Sequence, residues 1–90
     1  LVPLANGQGL VQGSLVKNQV RQFLGIPFAK PPTGSLRFQE PSYPPNPLPS
    51  SPFPALSFGK SCIQGVSDLY NITLETMDEN CLFLNVFTPV

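Results

Sequence analysis

The run Leu82-Phe83-Leu84-Asn85-Val86-Phe87 constrains this chain most, because it alternates like a strand yet has no polar side. Leu82, Leu84 and Val86 fall on one side; Phe83, Asn85 and Phe87 fall on the other. Successive side chains of a strand point to opposite faces. Both faces of this one therefore need apolar cover, which is the habit of strands in α/β sheets rather than of sheets with one wet face. The run predicts a buried strand of an α/β protein, stopped by Pro89. Glu79-Asn80-Cys81 stands at its mouth, and the other cysteine, Cys62, lies on the far side of a charge-poor stretch.

The chain has 90 residues, among them 12 prolines and 7 glycines. A chain this short buries proportionally little surface. Folding must still offset roughly 1.5 kcal/mol of ordering entropy per residue. Residues 1–90 are therefore expected to be one segment of a larger domain, not an independent domain. Leu1-Val2-Pro3 reads as a mature or trimmed end without a signal peptide.

Lys17, Arg21, Lys30, Arg37 and Lys60 balance five acidic residues and are scattered. No basic patch suits a nucleic-acid backbone, and no apolar run approaches the length of a transmembrane segment. The sequence contains no histidine. No catalytic residue is assigned within it, and neither a metal nor an organic cofactor is expected.

Residues 10–16 have strand propensity, with Gly13 marking a bulge or a close approach. Lys17-Asn18-Gln19 can turn the chain into a second strand from Val20 to Ile26, closed by Pro27. The expected product is an antiparallel hairpin, which is marginal alone. Lys30-Pro31-Pro32-Thr33-Gly34 is a rigid turn, after which Leu36 and Phe38 are expected to dock back. Residues 41–54 hold seven prolines. With Tyr43, Leu48 and Phe53 to pack, they read as an ordered surface excursion rather than a divider between domains. A short helical turn is expected near 64–70.

Two cysteines allow one internal disulfide or two buried thiols. A Cys62–Cys81 link would close a loop of about 20 residues, a contribution of about 3 kcal/mol in the chain-entropy picture. Inside that loop Asn71-Ile72-Thr73 fits the N-glycosylation acceptor pattern. Together they point to a secreted, oxidising setting. Tyr70 is expected to plug local packing, with an inward orientation toward a pocket as the alternative. Glu79 beside a buried strand needs a partner. Arg37 is the best by type, though it also reads simply as a solvated charge.

Phe23-Leu24-Gly25-Ile26-Pro27-Phe28-Ala29-Lys30-Pro31-Pro32-Thr33-Gly34-Ser35-Leu36-Arg37-Phe38 closely resembles the N-terminal motif of the type-B carboxylesterases, the group of cholinesterases, carboxylesterases and fungal lipases. Glu79-Asn80-Cys81-Leu82-Phe83-Leu84-Asn85-Val86 resembles the second signature of that family, with Asn80 where aspartate is usual. The resemblance implies an α/β class: the N-terminal part of an α/β-hydrolase fold, with a small antiparallel sheet near residues 9–28 and the start of the large central mixed sheet at Leu82–Val86. It implies a Cys62–Cys81 disulfide and a structural salt bridge between Arg37 and Glu79.

For the whole protein the resemblance implies a secreted serine carboxylic-ester hydrolase, esterase or lipase. A larger C-terminal remainder would carry the serine, the acid and the histidine, and small-molecule or lipid esters would be its substrates. Cholinesterases place a tryptophan in this loop against the quaternary ammonium. This chain has no tryptophan, which favours neutral esters. The alternative is a non-catalytic, cholinesterase-like adhesion or recognition protein; a Gly-x-Ser-x-Gly elbow downstream discriminates the two.

Overall fold

The computed structural model describes residues 1–4, 9–42, 52–70 and 72–90. Along the chain run β1 (Val2–Pro3), β2 (Leu10–Gln12), β3 (Ser14–Val16), β4 (Val20–Pro27), β5 (Phe53–Pro54) and β6 (Phe83–Pro89). They form two three-stranded sheets. The order β1-β2-β5 makes a small mixed sheet, with β1 antiparallel and β5 parallel to β2. The order β3-β4-β6 is antiparallel throughout. Helix among the described residues is confined to two 3-10 turns, Gly34–Leu36 and Leu74–Thr76.

Residues 10–16, expected as one strand, are two. β2 belongs to the mixed sheet and β3 to the antiparallel one, and Gly13 is the crossing point. A Cβ at Gly13 would lie 2.5 Å from the Phe23 ring and 2.7 Å from the Gln22 carbonyl oxygen. Glycine is what allows the chain to pass there. The hairpin itself forms, in register from Ser14↔Gln22 to Val16↔Val20. Lys17 and Asn18 both take positive φ, 50° and 54°, the backbone twist that matches paired antiparallel strands. The Gln19 N–H donates to the Val16 carbonyl at 3.0 Å.

The hairpin does not stand beside the main sheet, as the resemblance implied, but is part of the sheet that contains β6. β4 pairs with β6 from Val20↔Pro89 to Pro27↔Phe83, with a register shift between Phe23 and Ile26. Gly25 sits in that irregularity at φ +69°. Its N–H leaves the ladder and donates to Asn85 Oδ1 at 2.9 Å. The one polar residue of the β6 apolar run thereby satisfies a part-buried backbone donor, a group that is costly to leave unpaired.

Between the sheets lies a small core. Val11 and Ala55 are buried, and Leu4, Phe23, Ile26 and Phe53 pack on them. Ala55 stitches the sheets together: its N–H donates to the Gln12 carbonyl at 2.8 Å, and its carbonyl accepts the Leu24 N–H at 2.9 Å. The end of the proline-rich stretch is thus built into the core. Tyr43 and Leu48 lie outside the described residues.

The described residues do not cover β6 on both faces. Leu84, Val86 and Phe87 are 38%, 42% and 58% exposed. Beside them, Leu4, Val11, Phe23, Ile26 and Val86 line an apolar groove of about 340 Å³.

Candidate functional site

Cys62 and Cys81 are joined, with S–S 1.98 Å and Cα–Cα 4.9 Å. The bond fastens a loop to the foot of β6. Phe83 N–H donates to the Cys81 carbonyl at 3.0 Å, and Phe28 N–H to the Leu82 carbonyl at 3.1 Å. The loop also holds itself from within. Ser61 N–H donates to the Thr76 carbonyl at 2.8 Å, and Asp78 N–H to the Ser61 carbonyl at 3.0 Å. Ser67 and Ile72 exchange backbone bonds of 2.9 and 2.8 Å.

The loop's helical turn is Leu74–Thr76, not a turn near 64–70. Side chain and backbone cooperate at the former: Thr73 N–H donates to Thr76 Oγ1 at 3.0 Å, and Thr76 Oγ1 donates to the Thr73 carbonyl at 3.0 Å. Such local bonds are how threonines favour helix starts. Residues 64–70 contain Gly65 and Val66, both unfavourable to helix.

Arg37 Nε lies 3.3 Å from Glu79 Oε1, with the side chains 60% and 39% exposed. Solvent screens such a pair, so its contribution is about 1 kcal/mol or less. The Arg37 guanidinium also lies 4.9 Å from the Phe38 ring centroid. Phe38 does not dock back as expected. It takes φ +63°, and its ring, 91% exposed, meets Arg37 rather than the core. Asn71 lies outside the described residues.

Between the loop and β6 opens a cavity of about 610 Å³ whose lining includes Phe58, Lys60, Tyr70, Thr76, Phe83 and Asn85. Gly59 rests on the Phe83 ring so closely that a Cβ there would overlap it. Lys60 Nζ donates to the Glu75 carbonyl at 2.7 Å, tying the two limbs of the loop. Tyr70 does not plug the packing: it is 72% exposed and lines the cavity. Sequence reasoning missed Lys60, Gly59 and the role of Asn85. Asn85 alone gave a signal, as the lone polar residue of the apolar run.

The sequence motifs therefore converge in space. The bulge of β4, the loop closed by Cys62 and Cys81, and the first residues of β6 form one wall. A profile of the carboxylesterase family matches residues 2–90. The chain belongs to the carboxylesterase family. It is 40% identical over 98 residues to the pyrethroid hydrolase Ces2e of Rattus norvegicus, covering 90% of this chain and 16% of that protein. It is 43% identical over 76 residues to acetylcholinesterase 1 of Caenorhabditis briggsae, covering 76% of this chain and 12% of that protein. The crystal structure of Aspergillus niger EstA superposes with a TM-score of 0.72 at 35% identity, over 92% of this chain and 15% of that one. The chain thus spans less than a fifth of the length of each. Its mixed and antiparallel sheets, with no long helix among the described residues, are the N-terminal portion of an α/β-hydrolase arrangement.

Proposed function

We propose that this carboxylesterase-family chain is the N-terminal part of a secreted serine hydrolase of neutral carboxylic esters, an esterase or lipase. On this reading it is not a free-standing domain. The nucleophile, acid and histidine belong to polypeptide that follows these residues in the complete protein. The observation that carries the reading is the apolar character of β6, together with its exposure. Apolar side chains on both faces of a strand call for cover that the described residues do not supply.

In the complete enzyme, a serine on a strand-to-helix elbow attacks the ester carbonyl while histidine takes its proton. Backbone N–H groups stabilise the oxyanion, and water then releases the acid. The part of this chain is to fix the wall of the site: the disulfide and Asn85 hold the loop and the bulge in register. The disulfide and the Asn71-Ile72-Thr73 acceptor pattern support secretion and glycosylation. The absence of tryptophan from the sequence supports neutral rather than choline esters.

The test is to purify the native protein, determine its full sequence, and measure hydrolysis of neutral and choline esters before and after an organophosphate. The expected result is a Gly-x-Ser-x-Gly elbow, a downstream histidine, inhibitable turnover and a preference for the neutral ester. A complete protein without the elbow and without turnover overturns the reading and returns the adhesion alternative.

A further inference from the structure

We draw no further inference here: the strongest candidate, the exposed apolar surface of Ile63, Val66, Leu69 and Leu74 on the loop closed by Cys62 and Cys81, carries nothing, because nothing in the structure shows what covers it.

Discussion

Gly25 is where the fold asks most of a single residue, and replacing it with alanine separates two costs that other sites confound. The backbone there holds φ +69°, a region that costs an L-residue about 1–2 kcal/mol. The added Cβ would also lie 2.5 Å from the Ser57 carbonyl oxygen and 3.1 Å from the Gly59 nitrogen. Both are backbone atoms, so no rotamer change relieves the contact. Overpacking of this kind typically adds about 1–3 kcal/mol, for a total of about 2–5 kcal/mol in Gly25→Ala.

Two other glycines calibrate the estimate. Gly34 has φ +58°, yet a Cβ there meets nothing within 4 Å. Gly34→Ala should therefore show the backbone cost alone, about 1–2 kcal/mol. Gly65 also faces open space, and its φ is not in the positive region. Gly65→Ala should be neutral or stabilising by up to about 1 kcal/mol, through reduced unfolded-state entropy. The assay is urea unfolding of the native protein and the three variants, with the slopes compared to confirm a common unfolded state. Equal losses for Gly25→Ala and Gly34→Ala would refute the steric half of the reasoning, and a loss for Gly65→Ala as large as that for Gly34→Ala would refute the conformational half.

Asn85→Ala should destabilise by about 1–3 kcal/mol, since it strands the Gly25 N–H; Asn85→Asp, which keeps an acceptor, should lose less in the same urea assay. Replacing Cys62 and Cys81 together by serine should remove about 3 kcal/mol and raise amide hydrogen exchange in residues 63–80 before the β4–β6 ladder. Exchange that rises equally in the two regions would show that the disulfide does not act locally.

How much was legible in the sequence depended on the range of the interaction. The β3–β4 hairpin was readable because its turn is local: Lys17-Asn18-Gln19 separates two strand-forming runs. The strand character of 82–87 was readable because alternation is a property of consecutive residues. Gly13 was readable as a bulge or a close approach, and a close approach it is; that the chain changes sheets there was not, since the neighbour is the Phe23 ring, which only pairing of β3 with β4 brings near. Parallel pairing of β5 with β2 crosses some forty residues of chain and leaves no local pattern. The loop shows the same division. Its 3-10 turn went unrecognised because the Thr73–Thr76 bonds depend on rotamers. Its tie from Lys60 to the Glu75 carbonyl is a contact across the loop that residue type alone does not specify.

Asn85 shows why the two family motifs belong together physically. By pattern it is a defect, the one polar side chain in Leu82–Phe87. An apolar residue would suit the strand better but would leave the Gly25 N–H without its acceptor. Gly25 in turn lies against the backbone of residues 57–59, where a Cβ would stand 2.5 Å from the Ser57 carbonyl oxygen. Those residues set Gly59 on the Phe83 ring and present Phe58 and Lys60 to the cavity. One exception to the strand pattern thus fixes the bulge, the bulge fixes the limb of the loop, and the limb shapes the wall that a ligand meets. It follows that the polar residue and the glycine should tolerate change only together. A double variant, Gly25→Ala with Asn85→Val, should lose less stability than the sum of its parts, and strict additivity would mean that the two motifs are not coupled through this bond.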